Sequence, residues 1–307
     1  MKRLTLVSAT LVAALDAAAA PYEYSTPVPR GIAAPKELPT RFGTLKLFDR
    51  VPDPAGTQKI CDNADFQRAV QGYLLGLPAV NQLANRTNML KMGPANTTVP
   101  YWEDLIDSRT IKLTATNNPP YTWLWLDLRQ RLLVLEVPPK VLGLIDDMWY
   151  RWNTDLGITG PDKGAGGKYL LLPSGYKDPA PDAYLVVRSP TFRTWAGWRS
   201  FLVDGDPKQG VAAVKQHTKI YPLAQPGSPP PELSFVNMSG KPFNRVAPVD
   251  ESFRPMLHQV VPEEPTDSID ATTLGILASV GIEKGKPFAP DARMKRILAE
   301  AAALGSA

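Results

Sequence analysis

Carboxylates are the best-supplied reactive groups in this 307-residue chain. Asp127 closes an aromatic run, and Asp146, Asp147 and Asp155 follow within a short stretch. Two carboxylates roughly 5–9 Å apart can cleave a glycosidic bond, one as acid and the other as base or nucleophile. Asp127 and Asp147 are the candidates for such work, with Arg199 as the anchor for substrate charge. The competing reading pairs these aspartates with Arg129, Arg151 or Arg199 as struts between elements.

Aromatic residues form the second constellation. Six of the seven tryptophans fall between positions 123 and 198. Trp123 and Trp125 share one face of a strand, because side chains alternate with period two. Trp149 and Trp152, with Tyr150 between them, would share a helical face, and Trp195 and Trp198 lie beside Arg199. Exposed, such rings stack on sugars or other flat ligands; buried, they fill a core. Trp123, Trp125, Trp149, Trp152 and Trp198 are therefore the candidate ligand-binding residues, for an unknown small molecule or a glycan.

Other chemistry finds little support. The chain has no Gly-x-Ser-x-Gly elbow, no His-Glu-x-x-His, no phosphate loop and no dinucleotide fingerprint. His217 and His258 are its two histidines, which excludes a multi-histidine metal site; both read as ordinary histidines. Cys61 is the single cysteine, so no intrachain disulfide can form, and it reads as a small side chain rather than a nucleophile. No cofactor and no metal are expected.

The elements that must position these residues follow from the pattern of the chain. Phe66, Val70, Tyr73, Leu74 and Leu77 recur at helical spacing after Asp62, Asn63 and Asp65, up to Pro78, which should kink or end the helix. From about residue 109 the period changes to that of strands: 110–114, 121–128, 132–137, 168–172, 183–188 and 192–202. The segments Asn117–Pro120 and Arg129–Arg131 separate the first three, which read as adjacent strands. A helix carries Val211, Val214 and Lys215, and two more cover 268–280 and 290–304, the last opened by Pro290 and Asp291. The fold expected is a β-rich α+β class: an antiparallel β-sandwich or barrel-like core with flanking helices and a helical C-terminal segment.

Composition frames the location and the partners. Lys2 and Arg3, the apolar stretch from Leu4 to Leu15 and the small run Ala17–Ala20 predict a signal peptide over 1–19, too short to span a bilayer. The expectation is a periplasmic or secreted, soluble protein. Removing Lys2, Arg3 and Asp16 would take the 34 basic and 30 acidic residues to 32 and 29, a net of +3. That charge is too small and dispersed for nucleic acid. Prolines number 32, about twice the usual 5%, and mark an extended leader over 20–60 and a linker over 222–231. The domain expected between them covers 61–225, and a linker with a helical segment covers 226–307.

Several motifs in this frame are collinear with a known pattern. Asn117-Asn118-Pro119-Pro120-Tyr121 leads through Leu126-Asp127-Leu128 to Leu133–Pro138. Asp147-Met148-Trp149, Gly157–Gly160, Gly166–Leu171 and Gly197-Trp198-Arg199 follow, and Leu274–Phe288 closes the series. Together they resemble the family catalogued as domain of unknown function 1254. Pro119-Pro120 stands where that family usually carries Asp-Thr. The resemblance also implies a second, jelly-roll-like domain of unknown function 1214, which this sequence lacks. Either this is a short form or that half resides elsewhere, and the partner expected is a separate jelly-roll domain or a second copy in a homo-oligomer. Two functions are thus expected: a binding or interaction module with an aromatic groove, or a hydrolase-like enzyme using paired carboxylates.

Overall fold

The computed structural model describes residues 27, 29–32, 35–223 and 230–307. It divides into two units, residues 1–59 and 60–307. The expected signal peptide lies outside the described residues, as do Pro226 and Pro229 of the expected linker. In the first unit the prolines do not keep the chain single-stranded: β1 (Glu37–Thr40), β2 (Gly43–Phe48) and β3 (Val51–Pro52) pair as an antiparallel meander.

Helix α1 runs from Pro54 to Leu90, beginning earlier and ending later than the periodicity predicts. Its start is set locally: Pro54 supplies a helical φ, and the Asp53 carboxylate accepts from Gly56 N at 2.6 Å. Pro78 lies inside the helix instead of ending it, because burial of Ala79, Val80 and Leu83 outweighs the lost hydrogen bond.

The strand predictions largely hold. In chain order these are β4 (Thr98–Tyr101), β5 (Thr110–Ile111), β6 (Tyr121–Asp127), β7 (Leu133–Val137), β8 (Val141–Asp147), β9 (Trp152–Gly157), β10 (Gly167–Leu172), β11 (Leu185–Arg188) and β12 (Arg193–Ser200). Helix α2 (Lys208–His217) follows, then β13 (Lys219–Pro222), β14 (Ser234–Asn237), β15 (Phe243–Asn244), α3 (Phe253–Glu263), α4 (Ala271–Ser279) and α5 (Ala292–Gly305). Asp270 and Asp291 cap the last two helices, accepting from Thr273 N at 2.9 Å and Met294 N at 2.7 Å.

Pairing departs from the expected adjacency. A six-stranded sheet has the order β14-β4-β6-β12-β8-β9, and a four-stranded sheet the order β11-β10-β7-β13. Strands β6 and β7 are consecutive in sequence but belong to different sheets, so Arg129–Arg131 is a crossover and not a hairpin turn. Leu124, Leu126, Ile145 and Ala196 of the larger sheet pack with Leu135, Val137 and Leu171 of the smaller one. The β-rich α+β expectation is met with two packed sheets, but neither is wholly antiparallel, since β10–β11 and β14–β4 pair in parallel. Among the described residues no sheet closes into a barrel.

The other face of the six-stranded sheet carries Tyr121, Trp123, Trp125 and Trp195, and it is covered by α1, α3, α4 and α5. Gly76 lets α1 and α3 approach: a Cβ there would lie 2.4 Å from Leu257 Cδ2. Among the described residues no helix is long and apolar enough to cross a membrane.

Candidate functional site

The register of β12 decides the fate of the paired carboxylates. Arg193 lies opposite Asp127, whereas Thr194 lies opposite Asp147. Neighbouring residues of a strand point to opposite faces, so Asp127 and Asp147 look away from each other across the sheet. Each is also taken by an arginine. Arg129 donates to Asp127 through Nε at 2.9 Å and Nη2 at 2.7 Å. Burial pushes the Asp127 carboxyl up, but these bonds outweigh it and hold it below the ordinary range. Fully buried Asp147 accepts from Trp149 N at 2.8 Å, Arg151 N at 3.0 Å and Arg151 Nε at 2.8 Å.

The five candidate tryptophans do not form one groove. Trp123, Trp125, Trp149 and Trp198 are buried, while Trp152 is 64% exposed. Residues 149–151 form the tight β8–β9 turn rather than a helix, with Asp147 N donating to Arg151 O at 2.9 Å and Tyr150 at φ 60°. Trp149 instead donates to Ser268 Oγ at 3.0 Å, and Trp152 to Asp155 at 2.9 Å. His217 ends α2, exposed; His258 Nε2 meets Lys286 O at 2.8 Å; and Cys61 is exposed.

Structure gathers a different set around a cavity of about 170 Å³ on the aromatic face of the six-stranded sheet. Its sheet wall comes from β6, β8 and β12: Tyr121, Trp123, Asp146, Trp195 and Arg199. Those positions share a face because Trp195 opposes both Trp125 and Asp146, and Arg199 opposes Tyr121. Gly197 forms part of this wall for a steric reason. A Cβ there would lie 2.4 Å from Trp195 Cζ2 and 3.0 Å from Trp123 Cδ1, so the two indoles can lie over the strand only if this residue has no side chain.

Two cations complete the cavity from outside the sheet. Strands β5 and β15 pair in parallel, and Arg245 N continues the ladder to Ile111 O at 3.1 Å. This brings Lys112 and Arg245 to the same end. The pair is seated by aromatic packing: Phe243 lies 5.3 Å from Trp123 and 6.0 Å from Trp102, centroid to centroid. Lys112 Nζ then sits 4.2 Å from the centroids of both Tyr121 and Trp123, and the Arg245 guanidinium 4.5 Å from that of Trp195. Such contacts favour a cation over an aromatic face.

The electrostatics of the cavity are unbalanced. Burial, then the nearby Arg245 and Arg199, pushes the Lys112 ammonium down to about 6. Burial, then Asp147, pushes the Asp146 carboxyl up to about 7, with Arg245 opposing. Arg245 is only 1% exposed; one nitrogen donates to the Tyr150 hydroxyl, while Nε and Nη1 have no acceptor. The indole N–H groups of Trp123 and Trp195 also lack one. Four buried donor atoms around one cavity are thus unpaired, whereas buried polar groups are nearly always satisfied.

Arg199 and Trp123 are the sequence candidates that this site retains by both side chain and position. Lys112, Asp146, Tyr150, Trp195 and Arg245 assemble with them although 133 positions separate Lys112 from Arg245. A lone lysine in the Thr-Ile-Lys-Leu-Thr run was the available signal for the first; for Arg245 the sequence carried none.

The comparisons with known proteins bear on the fold. A crystal structure of the VPA0106 protein from Vibrio parahaemolyticus superposes with a TM-score of 0.54 at 17% identity, covering 79% of this chain. The chain spans 57% of that protein's length. No curated protein matches. Residues 96–222 match the model of the family described as a protein of unknown function, DUF1254. This span contains β4 to β13 and every sheet residue of the cavity wall. Residues 96–222 are thus similar to the DUF1254 proteins, the family that the motifs of this chain resemble.

Proposed function

We propose that this protein is an exported ligand-binding module that takes the anionic group of a small organic molecule into the Lys112–Arg245 cavity. The four buried donors without acceptors carry the reading: Nε and Nη1 of Arg245 and the indole nitrogens of Trp123 and Trp195. A buried donor left unpaired costs about 1–3 kcal/mol, and a bound carboxylate would relieve several at once. Arg245 offers the planar fork that suits a carboxylate; Arg199 adds charge, and so does Lys112 once a bound anion favours its ammonium form. Export is supported by Lys2 and Arg3, the apolar stretch after them and Ala17–Ala20. N-terminal sequencing of the periplasmic fraction tests that part, and an intact Met1 there would overturn it.

The hydrolase reading gains nothing from Asp127 and Asp147, which are each engaged by an arginine and face opposite sides of the sheet.

Because Trp123 and Trp195 line the cavity, their fluorescence reports on it. Acetate should change the emission saturably in the wild type and not in the Arg245→Met variant. No change up to roughly 10 mM, beyond the millimolar affinity a fragment-sized anion can reach, would overturn the anion reading.

A further inference from the structure

The cavity has a neighbour. A cleft of about 640 Å³ opens beside it, walled by Tyr73, Leu77 and Pro78 of α1, by Leu113 and by Val249. Thr114 and Tyr150 belong to the walls of both spaces. Leu113 directly follows Lys112, and residues 246–249 directly follow Arg245, so the segments that bring the cations also bring the apolar wall. Tyr150 stands at the junction with its hydroxyl held by Arg245.

The cleft is mostly apolar and is open at its mouth: Leu113 is 54% and Val249 66% exposed. Its size falls within the range of small-molecule sites. Among the polar residues of the lining, Asn81 stands out. Asn81 of α1 is 7% exposed, and its side-chain oxygen has no partner.

Building on the anion reading, we infer that the ligand is an amphiphilic carboxylate, whose head occupies the Lys112–Arg245 cavity and whose apolar body lies in the adjoining cleft. The unpaired amide of Asn81 would meet a hydroxyl or other polar substituent on that body. Two adjoining spaces of opposite character argue for one ligand with two ends. The small cavity alone could hold only the head, and the cleft alone would have no use for the cations.

Each buried methylene contributes roughly fourfold to affinity, so octanoate should bind at least about fifty-fold more tightly than acetate if half its chain enters the cleft. Titration calorimetry on the full chain with acetate, octanoate and 1-octanol separates the possibilities. In the expected result octanoate is tight, acetate weak and octanol weaker than octanoate. Equal affinities for acetate and octanoate would overturn the amphiphile inference and leave the anion reading standing. Octanol binding as tightly as octanoate would overturn it too, since the head would then be doing nothing. If neither anion binds, the anion reading itself fails. Leu113→Ser changes an exposed residue at the cleft mouth and adds no charge beside Lys112. It should weaken octanoate severalfold and by a larger factor than acetate; an equal effect on both, or no effect on octanoate, would overturn the placement.

Discussion

Lys112 and Arg245 are held over the same aromatic surface by a two-residue parallel pairing: Phe243 opposes Thr110, and Asn244 opposes Ile111. The next step of that register sets the two cations side by side. Among the described residues, no carboxylate lies within 4.0 Å of either side chain's charge. Two basic side chains held together in a half-dry space cost stability. Lys112 meets part of that cost by being neutral above about 6, and Asp146 on the cavity wall favours charged Arg245 without an ion pair. A ligand's negative charge would stabilise both charged forms.

Arg245 therefore separates binding from stability. An unpaired buried charge is expensive, and an apolar side chain of similar volume can be neutral or stabilising. Arg245→Met should keep or raise the melting temperature while abolishing the fluorescence response to acetate. A strongly destabilised variant would show that Arg245 is instead a structural strut.

Anion affinity should rise as pH falls from 8 to 6. Lys112, facing Arg245, Arg199 and the rings of Tyr121 and Trp123, is neutral above about 6 in the free protein. A bound anion favours its ammonium form, so the complex carries more protons than the free protein. Asp146, ionised above about 7, repels the anion and acts in the same direction. Each proton taken up strengthens binding by at most about tenfold per pH unit. Calorimetry in buffers of differing ionisation enthalpy should register that uptake, and Lys112→Met should reduce it.

Asp146 also sets a stability signature. Its carboxyl titrates near 7 in the folded chain, above the unfolded value of 3.8. Its contribution is fully present below that unfolded value and is lost as pH rises through 7. Asp146→Asn should therefore melt higher than the wild type at pH 8, with the difference shrinking toward pH 4. A difference independent of pH would argue against the buried carboxylate.

The two arginine–aspartate pairs should differ sharply. Asp147 is wholly buried beneath Arg151, so Arg151→Ala strands a buried carboxylate and should cost about 3–5 kcal/mol. The Asp127 carboxylate keeps Arg193 at 3.7 Å when Arg129 is removed, and Arg129 itself is 52% exposed. Arg129→Ala should cost about 1 kcal/mol or less. Urea denaturation of both variants makes the comparison.

Gly197→Ala should push the Trp195 indole out of place, costing about 1–3 kcal/mol and the acetate response with it. Gly275, on α4 with no atom near its missing Cβ, is the control; Gly275→Ala should be neutral or stabilising by up to about 1 kcal/mol.

What the sequence determined was local. Period-two runs located β6, β7, β10, β11 and β12 to within a few residues, because alternation and β-branched or aromatic content are properties of a single strand. Asp291 and Pro290 marked the start of α5 for the same reason. The collinear motifs from Asn117 to Arg199 pointed to the DUF1254 family, whose model matches residues 96–222, without need of contacts.

Only the tertiary structure decided which local pieces meet. The sequence could not show that β6 and β7 part into different sheets, since each strand reads the same whichever neighbour it takes. Nor could it show that β12 pairs in the register that turns Asp127 and Asp147 to opposite faces. A shift of one residue would reverse that outcome. The cations of the candidate site come from Lys112 and Arg245, joined by four strand residues whose pairing depends on Phe243 packing against Trp102 and Trp123. Long-range pairing of this kind is set by three-dimensional packing, and no spacing along the chain encodes it.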